Sequence, residues 1–495
     1  MLLIFVFFLI FVGMALSSFS LLDPDLGWHL FLGQKMVETK SLIYHAVGYN
    51  YFVNLQIPDH EWLSNLILFQ LSRIGMSAVL VLFFVLSLVI AFLLFRIVQK
   101  TNTSKSAALF SLSIVTLSLT VSYGLRLQVL LLLTVALLVY VYLCVGETRK
   151  RMLLYFIIFA LGINLHGGFL TLMPIPILLE LKFKNDKKWK IINLYQSFLL
   201  VLLLATTTLL TPYGFKYWQL IVNYSSNQTY LSKIAEWSPA YSFPIYLWNI
   251  IIPLSLVLFC LTANNYWKKL PLNWILIYVF YGFLGIRFNR YFPIFIILIL
   301  FHLAVSFDDI QKNILLAKKS KIIPAIFVTA VAFIVIFLSW QANNQSSFNP
   351  FSNTSYPAGA SQYLTKHPLE NGNLLNPYEW GGYLLWKSPE QKVFIDGRGP
   401  QAPTGNGNSI LDEYIKFNSD SQQSIKTQLQ KYDISEVLLN TTLVKYDWIN
   451  KQLFKTISKK DISLHKTPAL KNYLEHSQDW QLEYKDKISE IYRKK

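Results

Sequence analysis

The sequence predicts an α-helical polytopic membrane protein of about eleven transmembrane helices, followed by a small soluble α/β domain. Three observations carry this. The chain of 495 residues is 54% hydrophobic and only 14% charged, far below the roughly 25% charge of an ordinary soluble domain. Its apolar runs recur at lengths that cross a bilayer, which needs about 17–25 residues each. After Trp340 the composition turns polar, and strand-like and helical patterns alternate.

The expected spans lie near 1–22, 76–98, 106–123, 127–146, 150–164, 168–182, 191–210, 245–263, 271–286, 290–306 and 322–340. Residues 1–22 lack a basic flank and a small-residue cleavage pattern, so the run reads as a retained anchor. Asn164-Leu-His-Gly-Gly168 interrupts the region 150–182. The domains are therefore a membrane domain over 1–340 with a long first external loop at 23–75, a linker at 341–357 rich in Asn, Ser and Pro, and an extracytoplasmic α/β domain at 358–495. In that domain strands are expected at 372–375, 393–395, 437–439 and 480–484, and helices at 358–367, 409–416 and 420–432. Gly381 and Gly382 suggest a tight turn.

Charge sets the orientation. One set of alternate loops, around Arg96, Arg149 to Arg151, Lys182 to Lys190, Lys268 and Lys312 to Lys321, holds roughly twice as many basic residues as the opposite set. By the positive-inside rule those loops are cytoplasmic, as is the amino terminus, while the first loop and the tail lie outside. The expected location is a cell membrane, with the C-terminal domain outside. The net charge of +17 is thus mainly topological, and no basic stripe with interleaved aromatics marks a nucleic-acid surface. Cys144 and Cys260 both lie in apolar runs, which argues against a disulfide framework or zinc-thiolate site.

Within loop 23–75, residues 26–37 and 61–74 show helical spacing of apolar positions and read as interfacial helices with Trp28 and Trp62 at headgroup depth. Between them, 44–57 is aromatic and extended.

The topology puts Asp23, Asp25, His29, His60, Glu61, Arg126, Asn164, His166, Glu236, Arg287 and Arg290 all on the external side. Ionisable groups at membrane depth are costly and are default functional candidates. Asp25 and His29 share a helical face at a spacing of four. Carboxylates with nearby imidazoles suit deprotonation of an acceptor or a divalent metal; Asp23 and Asp25 also suit helix N-capping. The arginines suit phosphate oxygens, to which guanidinium forms forked bonds, and also plain interfacial anchoring. Asn164 and His166 read equally as ligand contacts or as satisfied structural groups. Asp396 and Arg398 read as a structural pair. Nucleotide-binding loops, the nucleophile elbow and the zincin motif are absent from the sequence.

The combination of Asp23-x-Asp-x-x-Trp-His-Leu30, His60-Glu-Trp-Leu63, Asn164-Leu-His-Gly-Gly168, Glu236-Trp237 and Arg287 to Arg290 resembles bacterial membrane proteins of the GT-C glycosyltransferase type, a mostly uncharacterised group. Glu379-Trp-Gly-Gly-Tyr383, Phe394-Ile-Asp-Gly-Arg398 and Trp480-x-x-x-Tyr484-x-Asp486 resemble the external domain of the same group. The resemblance implies an enzyme that moves a sugar from a polyprenyl-phosphate-linked donor to a glycan, lipid or protein acceptor at the external face of a bacterial cell membrane. It gives Asp25, or Asp23, the role of base or metal ligand, with Glu61 as second acidic residue. Arg126, Arg287 and Arg290 would meet the donor phosphate, and His29, His60, Asn164, His166 and Glu236 the substrates. A divalent metal held by Asp25, Glu61 and His60 is the one cofactor the pattern allows. Gly27 stands where many relatives carry a second aromatic residue, an expected loosening of a sugar-facing or interfacial contact. The alternatives are a non-enzymatic transporter or assembly factor for lipid-linked glycans, and a polymerase or ligase using the same donor class. Internal repeats and mid-membrane charges would favour transport; here the charges gather at one face.

Overall fold

The computed structural model describes residues 23–119, 125–186, 188–191, 193–237, 239, 252–263, 265–314, 356–419, 421–441 and 469–495, with positions 4, 7, 8, 11 and 12. The expected anchor at 1–22, the last span at 322–340 and the linker at 341–357 lie essentially outside them.

In chain order the helices are α1 (Leu26–Thr39), α2 (Trp62–Ile74), α3 (Met76–Gln99), α4 (Lys105–Leu119), α5 (Val129–Cys144), α6 (Thr148–Leu165), α7 (Pro174–Glu180), α8 (Leu194–Thr207), α9 (Phe215–Ser226), α10 (Gln228–Lys233), α11 (Ile252–Ala263), α12 (Leu272–Arg287), α13 (Phe292–Ile314), α14 (Ala358–Lys366), α15 (Gly381–Lys387), α16 (Ile410–Ile415), α17 (Gln422–Lys431) and α18 (Ala469–His476). The strands are β1 (Phe183–Asp186), β2 (Lys188–Ile191), β3 (Asn373–Leu375), β4 (Ile434–Asn440), β5 (Trp480–Lys485) and β6 (Ser489–Lys494).

The chain forms two compact units. One comprises Met1–Leu21, Leu80–Gly214 and Ala235–Gln345; the other comprises Leu22–Val79, Phe215–Ile234 and Ser346–Lys495. Residues 22–79 thus belong to the same compact unit as the C-terminal residues.

The first unit is helical. Its centre is α13, against which α4, α5, α11 and α12 pack, and residues 294 to 300 of that helix are almost fully buried. Among the described residues two helices, Met76–Gln99 and Asn289–Lys312, are long and apolar enough to cross a membrane; six further apolar helices span 10–17 residues. The outer helices leave apolar stripes bare at helical spacing. Helix α3 exposes Val81, Val85, Val89 and Phe92 while burying Val79, Phe83, Ile90 and Leu94, and α12 exposes Val279, Phe280, Phe283 and Ile286. Contiguous bare apolar surface of this kind is costly in water and suits lipid. The Asn164 to Gly168 motif does break a helix: α6 ends at Leu165, and a 3-10 turn, Gly167–Leu172, follows. A buried pair that sequence reasoning missed ties the far end. Arg151 Nε and Nη2 meet Glu180 at 2.5 and 2.6 Å, while Arg151 Nη1 closes the C-terminus of α5 through the carbonyls of Val145 and Gly146.

In the second unit the C-terminal residues build a four-stranded sheet in the order β3-β4-β6-β5, with β3 parallel to β4 and the rest antiparallel. The helices between β3 and β4 make the crossover that a parallel pair requires. Strand β6 was not expected from the sequence, although Ile491 and Tyr492 on it are core residues. The strand expected at 393–395 is instead irregular chain, with Val393 forming a single bridge to Tyr49. Gly381 and Gly382 do not make a tight turn. They open α15, and neither leaves room for a Cβ: one on Gly381 would meet the Ile395 carbonyl and Asp396, and one on Gly382 the Pro24 carbonyl and Trp28.

Candidate functional site

Helix α1 is where the second unit concentrates chemistry. Leu26 to Gly33 are all buried, Trp28 among them at 4% exposure, so this face of the helix packs within the protein. Two glycines allow that burial. A Cβ on Gly27 would stand 2.2 Å from the Gly382 carbonyl oxygen, and one on Gly33 would stand 2.2 Å from that of Asn65 in α2. Gly27 therefore permits a tight backbone contact with Gly382. The Trp380-Gly-Gly-Tyr383 and Asp396-Gly-Arg398 motifs both face this helix: a Cβ on Gly382 would meet Pro24 and Trp28, and one on Gly397 would meet Asp25 Oδ1.

The Asp396–Arg398 pair is structural, as its position implied. Arg398 Nη2 meets Asp396 Oδ2 at 2.6 Å, both buried. Tyr49 donates to Asp396 Oδ1 at 2.8 Å, and Arg398 Nη1 donates to the Val47 carbonyl. The pair clamps the first loop onto the C-terminal residues.

Asp23 and Asp25 part company here. Asp23 is buried, and its Oδ1 accepts from the Asp25 backbone N–H at 2.8 Å, which shapes the turn into α1. Asp25 occupies the N-cap position but makes no side-chain cap bond. Its Oδ1 instead accepts from Trp28 Nε1 at 2.9 Å, and the residue is half-buried. The carboxylate thus keeps partial solvent access and is oriented by an indole N–H.

Behind Asp25 lies a buried polar chain. His29 lies against Trp28, with ring centroids 3.7 Å apart and planes tilted by 39°. Its Nδ1 is 2.6 Å from Asn65 Oδ1, and Asn65 Nδ2 donates to both oxygens of Asp59 at 2.9 and 2.8 Å. Glu61 Oε2 lies 3.7 Å from His29 Nδ1, and Glu61 Oε1 lies 3.8 Å from His60 Nε2. Burial pushes His29 down to about 3, so it is neutral at physiological pH and its approach to Glu61 is not an ion pair. Burial pushes Asp59 up to about 6 against the opposing hydrogen bonds of Asn65 and the Glu61 N–H and the charge of Arg398. Sequence reasoning missed Asp59 and Asn65. A signal existed: Asn65 is a polar residue on the buried face of the amphipathic helix α2.

The first unit gathers the other candidates in two places. Arg126 Nη1 donates to Glu236 Oε1 at 2.9 Å, and Arg290 Nη1 lies 3.7 Å from Glu236 Oε2. Arg290 also stacks over Trp237 at 4.5 Å, and Arg287 over Phe288 at 4.6 Å. Glu236 is thus the counter-ion of two arginines. Asn164 and His166 serve the helix break: Asn164 Nδ2 donates to the carbonyls of Ala160 and Leu210, and His166 Nδ1 accepts from Gly168 N–H at 2.8 Å.

Among the described residues no group of three or more His, Cys, Asp or Glu side chains could hold a metal ion. The set expected from the sequence, Asp25, Glu61 and His60, is not gathered as one.

Neither a protein-family model nor a curated relative matches the sequence. Solved structures do match. An oligosaccharyltransferase from Archaeoglobus fulgidus, tethered to an acceptor peptide containing the NVT sequon, is similar with a TM-score of 0.56 at 10% identity, over 88% of this chain and 69% of that one. The mycobacterial arabinofuranosyltransferase AftD is similar with a TM-score of 0.54 at 11% identity, over 99% of this chain but 39% of that one. ArnT from Cupriavidus metallidurans, bound to undecaprenyl phosphate, is similar with a TM-score of 0.50 at 10% identity, over 99% of this chain and 97% of that one. The likeness is one of fold: this chain shares the architecture of these three glycosyltransferases.

Proposed function

We propose that this protein is a membrane glycosyltransferase that moves a sugar from a polyprenyl-phosphate-linked donor to an acceptor hydroxyl on the extracytoplasmic face, with Asp25 as general base. The observation that carries the reading is the Asp25 carboxylate, which the helix does not use as a cap and which Trp28 orients. The fold supports it, and so does the undecaprenyl phosphate bound in the ArnT structure.

In the proposed step the acceptor oxygen attacks the anomeric carbon while Asp25 takes its proton. The bond from that carbon to the phosphate oxygen breaks, its electron pair leaves with the polyprenyl phosphate, and the configuration inverts. Phosphate is a competent leaving group, so the protein supplies mainly positioning and charge. Arg126, Arg287 and Arg290 are the proposed phosphate contacts. Arg126 and Glu236 are each about a third exposed, and an ion pair that exposed is worth at most about 1 kcal/mol. A lipid phosphate therefore competes readily for the same guanidinium. His60, half-buried beside Glu61, is the proposed contact to an acceptor whose class is a glycan, lipid or protein.

The test uses the full chain in nanodiscs, offered undecaprenyl phosphate and undecaprenyl-phosphate-linked hexoses and pentoses together with a membrane extract as acceptor source. Binding of undecaprenyl phosphate with consumption of one donor supports the reading. Binding without consumption of any donor contradicts it and favours a transporter or assembly factor.

A further inference from the structure

We propose that Asp59 and Asn65 are positioning residues for His29: the Asp59 carboxylate orients the Asn65 amide, and the amide oxygen holds His29 in its Nδ1–H tautomer with Nε2 as the acceptor. The proposal rests on three contacts. Asn65 Nδ2 lies 2.9 and 2.8 Å from the two Asp59 oxygens, and Asn65 Oδ1 lies 2.6 Å from His29 Nδ1. An amide's nitrogen and oxygen are told apart by their partners. A carboxylate accepts hydrogen bonds only, so it selects the NH2 end and turns the carbonyl end toward the imidazole. A carbonyl oxygen at that distance requires an N–H from the ring, which puts the proton on Nδ1.

All three residues are buried: Asp59 is 5% exposed, His29 4% and Asn65 0%. Water is therefore a poor substitute partner, and a mismatched amide would bury an unsatisfied group at a cost of about 1–3 kcal/mol. That is enough for one orientation to dominate. The backbone reinforces it, because the Glu61 N–H also donates to Asp59 Oδ1 and fixes the carboxylate. Arg398, already clamped by Asp396, supplies the nearby positive charge. The Phe394-Ile-Asp-Gly-Arg398 motif thus reaches His29 through Asp59. What Nε2 then accepts, a substrate hydroxyl, rests on the transferase reading; the tautomer itself does not.

The experiment reads the tautomer without substrate. The full chain is labelled with 15N-histidine in nanodiscs, and the His29 ring signals are identified by their loss in His29→Asn. Wild type at pH 7.5 is expected to show Nδ1 protonated and Nε2 bare; the opposite pattern overturns the proposal. In Asp59→Asn the selecting carboxylate is gone, and the Nδ1–H to Nε2–H ratio is expected to fall at least tenfold, with thermal unfolding checked for a retained fold. An unchanged ratio in a folded variant also overturns it. If the tautomer behaves as expected while no donor is consumed, the transferase reading fails and this one stands.

Discussion

Gly27 of α1 meets the backbone of Gly382 so closely that a Cβ on Gly27 would stand 2.2 Å from the Gly382 carbonyl oxygen. Backbone on backbone cannot yield as a flexible side chain can. Gly27→Ala is therefore expected to destabilise the fold by about 1–3 kcal/mol, the usual range for overpacking, and to displace Asp25 and Trp28. Gly146→Ala, with open space around its Cβ position, is the control and should melt within a degree or two of wild type. Thermal unfolding in detergent checks both.

Arg398 to Lys is formally conservative, yet the site uses the guanidinium in two directions, to Asp396 and to the Val47 carbonyl. A lysine cannot reproduce that fork. Removing the partner of a buried charge typically costs about 3–5 kcal/mol, so Arg398→Ala should fail to accumulate in membranes, and Arg398→Lys should show a clearly lowered unfolding midpoint.

Two buried groups oppose each other in acid. The folded value of His29 lies near 3, below its ordinary 6.5, so its contribution is present above 6.5 and is lost as pH falls toward 3. That of Asp59 lies near 6, above its ordinary 3.8, so its contribution is full below 3.8 and is lost as pH rises through 6. Between pH 6 and 4 the two nearly cancel, each being worth about 1.4 kcal/mol per pH unit. Asp59→Asn should therefore lose stability on acidification from pH 6 to 4 more steeply than wild type, and His29→Asn should gain it. Denaturation midpoints at the two pH values measure this; parallel behaviour of all three proteins would refute it.

For the arginine cluster, Arg290→Ala is expected to weaken undecaprenyl phosphate binding about tenfold or more. Glu236→Gln, which removes the internal competitor of both Arg126 and Arg290, should leave binding equal or tighter. Fluorescence titration in nanodiscs separates the two, and a loss of binding in Glu236→Gln would show that Glu236 serves the ligand rather than the arginines.

Much of the architecture was legible because it rests on local pattern. Apolar run length located helices α3 and α13, helical spacing located α1 and α2, and the Asn164 to Gly168 interruption located a real helix break. The unread features depend on contacts between distant segments. Nothing local says that Trp28 packs against the C-terminal motifs, or that Gly381 and Gly382 begin a helix pressed on α1. The same holds for the candidate site. Asp25 and Glu61 announce themselves beside tryptophans and histidines, whereas Asp59 matters only through Asn65, which is six residues away and folded back onto it. Glu236 was legible as an acidic residue but not as the counter-ion of arginines 110 and 54 residues distant in sequence.

The central claim is that Asp25 accepts the proton of the attacking hydroxyl. The most direct measurement compares wild type and Asp25→Asn for turnover of the lipid-linked donor and for undecaprenyl phosphate binding in the same nanodiscs. The account predicts that Asp25→Asn, isosteric and still able to accept from Trp28 Nε1, folds and binds undecaprenyl phosphate like wild type but loses at least a hundredfold in transfer, in keeping with general-base catalysis. Transfer at the wild-type rate would contradict it.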